Sequence, residues 1–152
     1  MSMGLYLRKQ RSKVKKEDIC ISFNGCNDSV MPSFKKGEIL RELLQLQDKF
    51  IVGYAGTVGV SHGLEELLES SKQFNFPVNI IFVIIGNGAV HQNLKSKYKD
   101  SSSNILVLDS VSQEEIGDYL SMFDACLVSL KNIEPYDKVI PSKLFESIAY
   151  ET

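Results

Sequence analysis

Tryptophan is absent from this 152-residue chain, and cysteine, proline and histidine are scarce, with three, four and two residues respectively. The cysteines, Cys20, Cys26 and Cys126, form no CxxC pair and have no histidine cluster nearby, so neither a disulfide framework nor a zinc site is predicted. We expect reduced structural thiols. With so few histidines and no nucleophile-elbow sequence, no Ser-His-Asp or Cys-His arrangement is predicted either.

Long apolar runs are also missing from the sequence. The longest, residues 78–85, is interrupted by Asn79 and is far shorter than the ~20 residues that a membrane helix needs. At the N-terminus an apolar stretch precedes the basic residues, which reverses the order of a secretory signal. These features predict an intracellular chain without a membrane span.

Positive charge is concentrated at one end of the chain. Six of the seventeen basic residues lie within the first sixteen positions, which leaves eleven basic residues against nineteen acidic ones and a net charge of −8 thereafter. An acidic body of this kind is a poor nucleic-acid binder. We therefore predict a basic leader at residues 1–16, solvated or helical and frayed, with contact to anionic lipid or nucleic acid as the weaker alternative.

From residue 18 onward, short β-branched runs alternate with stretches of helical spacing. The pattern predicts strands at 19–23, 50–55, 79–85, 104–108 and 125–130, and helices at 38–47, 63–74, 89–99, 113–123 and from Pro141. Ser112 and Glu115 form a predicted capping box. Because residues 80–85 are apolar at every position, we predict an α/β fold whose doubly wound parallel sheet carries helices on both faces. Such sheets bind ligands at the carboxyl ends of their strands.

A glycine-rich loop at residues 53–63 follows the predicted strand 50–55 and leads into a helix. Glycines allow a ligand to approach the backbone, and the positive end of the helix favours a phosphate. The spacing of Gly56, Gly59 and Gly63 fits neither GxGxxG nor the Walker pattern, so a flexible turn is an equal alternative. His62 in this loop is a candidate phosphate donor, although a structural role for it is slightly favoured.

A second candidate is the helix that starts at Pro141, which fixes the first turn. The amides near Ser142, Lys143 and Leu144 can hold a phosphate, with the charge of Lys143 added. One turn later, Glu146 can accept two hydroxyl hydrogen bonds from a ribose. An ordinary capped helix with solvated Lys and Glu is the alternative.

The third candidate is the turn Gly86-Asn87-Gly88, together with Val111 after the next strand, whose backbone can face a nucleobase. Routine strand-to-helix turns are the favoured alternative for both segments. His91 is predicted to be exposed and inert.

In this order and spacing, the motifs resemble the carboxyl-terminal domain of GT4 glycosyltransferases (glycosyl transferases group 1), which have the two-domain GT-B architecture. The resemblance covers residues 17–152, and its motifs are Phe23-Asn24-Gly25, the glycine loop, Gly86-Asn87-Gly88, Asp124 before a strand ending at Ser129, and Pro141 to Glu146.

The resemblance implies a retaining glycosyltransferase that binds a nucleotide-diphosphate sugar without a metal or other cofactor. It assigns the diphosphate to Gly56, Thr57, Gly59, His62, Ser142, Lys143 and Leu144, the ribose to Glu146, and the base to the vicinity of Gly86, Asn87, Gly88 and Val111. Thr57 and His62 replace cationic residues of the family. Lys138 stands where many members carry an acid, so either Glu134 or Asp137 takes that role or this chain dispenses with it.

The resemblance also implies that an N-terminal acceptor domain and the end of the donor domain lie outside this chain, which alone is then expected to be inactive. It points to surface polysaccharide synthesis in the cytoplasm, with peripheral association at the inner membrane face. The base, the sugar and the acceptor stay open. The alternative is a non-catalytic nucleotide- or phosphate-binding α/β module. An NAD-binding Rossmann oxidoreductase is disfavoured, because its glycine fingerprint is missing.

Overall fold

The described part of the protein alternates helices and strands. The computed structural model describes residues 33–74, 76, 79–99, 104–134, 136 and 140–149, without the side chains of Glu146 and Ala149. Its helices are α1 (Phe34–Leu43), α2 (Leu64–Ser71), α3 (His91–Lys97), α4 (Ile116–Leu120) and α5 (Ser142–Ala149). Its strands are β1 (Phe50–Ala55), β2 (Ile80–Ile85), β3 (Ile105–Leu108) and β4 (Ala125–Cys126). The predicted leader, the strand at 19–23 and the Asn24-Gly25 motif lie outside the described residues.

The four strands form one parallel sheet in the order β3-β2-β1-β4. β1 pairs with β2 along its whole length, from Phe50 opposite Ile80 to Ala55 opposite Ile85. On its other side, β1 pairs with β4 over two residues. The predicted parallel sheet is therefore confirmed.

Two apolar clusters cover the two faces of the sheet. One contains Tyr54, Ile84 and the buried residues of α2 and α3, and the other contains Ile51, Val83, Leu120 and Phe123, with partly buried residues of α1 and α4 packed against it. Successive side chains of β2 alternate between the clusters, which explains why the strand is apolar at every position. The structure thus confirms a doubly wound α/β fold.

Several elements differ from their predicted bounds. Helix α1 covers 34–43 rather than 38–47, and Gln45, with φ 58°, turns the chain in a left-handed conformation just after it. Strand β4 has two residues rather than six. Beyond it, Ser129 bonds to His62 through its hydroxyl and its carbonyl instead of extending the sheet. The capping box is confirmed, since Ser112 and Glu115 exchange side chain to backbone hydrogen bonds of 3.1 and 3.3 Å.

The sheet has a topological switch point between β1 and β4. After β1 the chain moves outward through β2 to β3, and it then returns across the opposite face to β4 on the other side of β1. In open parallel sheets, ligands bind where the connections diverge in this way. The glycine loop after β1 lies at this position.

Candidate functional site

The loops that follow β1 and β4 are tied together at the carboxyl edge of the sheet. The Ser129 hydroxyl donates to the His62 carbonyl at 2.7 Å, and His62 Nδ1 lies 3.2 Å from the Ser129 carbonyl. The Lys131 amide donates to the Ser61 carbonyl at 2.9 Å. These bonds fix the end of the glycine loop against the segment after β4.

Lys143, in the first turn of α5, reaches across the beginning of the glycine loop. A Cβ atom at Gly56 would lie 2.7 Å from Lys143 Cε and 3.0 Å from its Nζ. The same Nζ lies 4.7 Å from the ring centroid of Tyr54, a cation–π distance. The glycine loop and the start of the last helix, which are about ninety residues apart in the sequence, therefore converge on one place.

Tyr54 contacts both Lys143 and the glycine loop. Its ring is fully buried, and its hydroxyl donates to the Thr57 carbonyl at 2.6 Å. Burial raises the pKa of this phenol above its ordinary value, so the group stays protonated at neutral pH. The side chain consequently fixes the loop and presents its ring face to Lys143 without contributing a charge.

The turn at 86–88 packs directly against the glycine loop. A Cβ at Gly86 would lie 1.8 Å from the Gly56 carbonyl oxygen, and one at Gly88 would lie 2.4 Å from the Val58 carbonyl oxygen. Val58 donates to the Asn87 carbonyl at 2.9 Å, and Val90 donates back to Val58 at 3.2 Å. These two glycines thus allow the close approach of two backbone segments.

Not every amide predicted to face a phosphate is available. The Gly56 amide donates to the Ile85 carbonyl, and the Leu144 amide donates to the Pro141 carbonyl at 3.1 Å. In the described part of the chain, the amides of Thr57 and Gly59 donate to no other residue. Within the glycine loop, the backbone donors left for an anion therefore lie toward its tip.

His62 is held in one ring orientation. A carbonyl can only accept, so Nδ1 carries the proton that bonds to Ser129, and in the neutral ring Nε2 has a lone pair. Burial lowers the pKa of His62, the Lys143 charge lowers it further, and the bond to Ser129 opposes both effects. The neutral form with hydrogen on Nδ1 therefore predominates at neutral pH.

The remaining predicted site residues make other contacts, are exposed or have side chains outside the described residues. Val111 packs against the core cluster on the α1 and α4 face, and Asn87 caps its own turn by accepting a hydrogen bond from the Gly88 amide. Glu146 lies one turn after Ser142 and Lys143 in α5, but its side chain lies outside the described residues. Asp137 and Lys138 also lie outside them, whereas Glu134 is exposed.

The prediction that His91 is exposed was wrong. The residue is 1% exposed, and its Nε2 lies 3.0 Å from the Leu108 carbonyl. His91 lies three residues before the buried Leu94, on the face of α3 that packs against the sheet. His91 thus links α3 to the end of β3.

Arg41 and Asp124 form a structural link that the sequence did not reveal. The guanidinium lies 2.8 Å from one Asp124 oxygen, and the other oxygen accepts the Ile51 amide at 2.7 Å. Arg41 also donates to the Met122 carbonyl. Asp124, which the sequence marked only as part of a motif, therefore joins α1 to the start of β1.

The described residues contain neither a cluster of metal ligands nor a membrane-crossing helix. In the described ranges, no three His, Cys, Asp or Glu side chains are grouped so that they could hold a metal ion. No helix among these residues has the length and apolar character needed to cross a bilayer.

Comparison with known proteins identifies the fold. No family model and no curated protein matches the chain. Solved structures of Alr3699/HepE from Anabaena, in complex with UDP and glucose or with UDP-glucose, are similar with TM-scores of 0.66 and 0.65 at 16% identity. Each match covers 88% of this chain and 38% of the HepE chain. The likeness establishes the Rossmann-like α/β fold, and the chain spans well under half the length of HepE.

Proposed function

We propose that this chain is the donor-binding domain of a retaining glycosyltransferase of the GT-B type. Its ligand is a nucleotide-diphosphate sugar, with the diphosphate between the glycine loop and the start of α5. The observation that carries the proposal is the position of Lys143 over Gly56 at the switch point of the sheet. The switch point of the sheet, the glycine loop and Lys143 all support an anionic ligand at the same position.

The chemistry of the site suits a diphosphate. The amides at the loop tip and the positive end of α5 supply partial charges, and Lys143 supplies a full one. Tyr54 holds the ammonium by its ring face without neutralising it. A metal ion is therefore not part of the proposal, since these groups can stabilise the departing diphosphate.

Uridine is the base we propose. HepE, with a similar fold, is known in complex with UDP and with UDP-glucose, which supports a UDP-sugar as the donor and a hexose as the sugar. Glu146 accepts hydrogen bonds from the ribose hydroxyls, and the 86–88 turn with Val111 lies near the base. With these assignments, the sequence motifs are proposed to bind a UDP-sugar.

The complete enzyme is proposed to transfer its sugar to a glycan or lipid-linked acceptor, in surface polysaccharide synthesis at the cytoplasmic face of the membrane. The 38% coverage of HepE supports a separate acceptor domain outside this chain. Reaction then requires alignment of donor and acceptor in the cleft between domains. We expect the 152-residue chain to bind donor and to transfer no sugar, and measurable turnover would contradict that expectation.

Calorimetric titration of the chain with UDP-glucose, UDP, GDP, ADP and NAD tests the proposal. We expect saturable binding of UDP and UDP-glucose that is about 10–150-fold weaker in Lys143→Gln, because a charge-assisted bond contributes about 1.5–3 kcal/mol. Lys35→Gln, at an exposed position of α1, is the matched control and should bind like the parent. Tighter binding of NAD would favour an oxidoreductase, and phosphate binding without base preference would favour the non-catalytic module.

A second substitution tests the ribose assignment. Glu146→Gln should weaken UDP binding by about 1–3 kcal/mol, because the amide accepts hydroxyl hydrogen bonds less strongly than a carboxylate. Binding of inorganic pyrophosphate should be unchanged in the same variant. An unaltered affinity for UDP would remove Glu146 from the site.

A further inference from the structure

His62 has one ring nitrogen committed and one available. Its Nδ1 donates to the Ser129 carbonyl, and its Cδ2 edge, next to Nε2, lies 3.7 Å from the position of a Cβ at Gly59. In the described part of the chain Nε2 has no hydrogen-bond partner and is not buried. The ring carbon bonded to the free nitrogen therefore lies close to the loop tip at Gly59.

This geometry restricts what His62 can offer to a phosphate. With the proton on Nδ1, the neutral ring presents only a lone pair at Nε2, which repels a phosphate oxygen. Donation from Nε2 requires the doubly protonated ring, because the bond to Ser129 keeps the other proton in place. A hydrogen bond from Nε2 to a phosphate therefore requires a proton on Nε2.

The charged groups around His62 make the unliganded ring neutral. Lys143 from α5 is the cation that acts on it, whereas Lys131, from the loop after β4, is paired with Glu66 of α2. Tyr54 of β1 contacts the ring edge to face at 5.9 Å and is uncharged. A bound diphosphate would neutralise the field of Lys143 and add an anion next to Nε2, so both changes favour protonation.

We propose that binding of a diphosphate at this site takes up one proton, which is placed on Nε2 of His62, so that donor affinity falls as pH rises. The inference rests on the proposed function, and it deepens it by making His62 a proton-linked contact of the diphosphate. A nucleotide sugar would then be held most tightly under mildly acidic conditions and released more readily as the pH increases.

Calorimetry of the 152-residue chain with UDP-glucose tests this linkage. The diphosphate of UDP-glucose is a diester without a titration near neutrality, so any proton uptake belongs to the protein. Titrations at pH 7.5 in buffers of different ionisation enthalpy should give uptake of about one proton. The dissociation constant should rise by up to about tenfold per pH unit above pH 7.

Two variants separate the linkage from a structural role of His62. His62→Asn retains a donor near the Nδ1 position for Ser129 but removes Nε2, so we expect weaker binding without proton uptake. His62→Lys supplies a fixed charge, so we expect binding that is retained and independent of pH between 6 and 8. A circular dichroism spectrum and an unfolding midpoint like those of the parent would show that each variant is folded.

The outcomes distinguish the two proposals. Binding of UDP-glucose without proton uptake, or the same pH profile in His62→Asn, overturns the linkage and leaves the donor site standing. Failure to bind at pH 5.5, where the linkage gives tighter binding than at neutral pH, overturns both the linkage and the proposed function.

Discussion

Two glycine-containing segments lie side by side at the carboxyl edge of the sheet, yet they act differently. In the turn at 86–88, Gly86 and Gly88 have no room for side chains, because the carbonyl oxygens of Gly56 and Val58 occupy the positions of their Cβ atoms. The loop tip at Gly59 is open, with no atom nearer than 3.7 Å to a built Cβ. Glycine thus allows close packing of backbone segments in the turn, whereas at the loop tip it leaves an open surface.

The largest expected effect is that of Gly86→Ala. Its φ of 150° and the 1.8 Å approach to the Gly56 carbonyl require two backbone segments to move apart. We expect destabilisation of about 3 kcal/mol or more, measured by urea unfolding. A loss below about 1 kcal/mol would show that the turn is looser than the packing indicates.

Gly56→Ala should have an intermediate effect on stability and a specific one on binding. The residue has φ 127°, but its Cβ would meet the flexible end of Lys143 instead of backbone. We expect about 1–3 kcal/mol of destabilisation from strain, and weaker UDP binding even where the variant is folded, because Lys143 is displaced. Unchanged affinity in the folded variant would separate Lys143 from the diphosphate.

The smallest effect is expected for Gly59→Ala, the same chemical change at the open position. Gly59 has extended backbone, with φ −109° and ψ 163°, and a methyl group there makes ordinary contacts. Stability should change by less than about 0.5 kcal/mol. If its unfolding midpoint falls as far as that of Gly86→Ala, the contrast between the two segments is wrong.

Much of the fold could be predicted from local sequence. The bounds of β1 were predicted correctly, and the uniformly apolar β2 indicated a sheet covered on both faces. The capping box at Ser112 was also found. Strand β4 was predicted too long, because a β-branched or apolar run does not show that Ser129 bonds to a loop instead of a neighbouring strand.

The candidate site was only partly predictable. The sequence singled out the glycine loop and the start of α5 separately, but their meeting depends on Lys143 crossing Gly56. His91 was misplaced because its sequence neighbours Gln92, Asn93 and Lys95 are polar, although it lies three residues before Leu94 on the buried face of α3. The engaged amides of Gly56 and Leu144 could not be found without the fold.

The sequence by itself determined the alternation of strands and helices, the parallel sheet and the two segments suited to an anion, because periodicity, capping and glycine position are local properties. Only the tertiary structure decided which backbone donors are already used, which nitrogen of His62 is available and which glycines are needed for packing. Those features depend on contacts between residues tens of positions apart, and local pattern carries no information about such contacts.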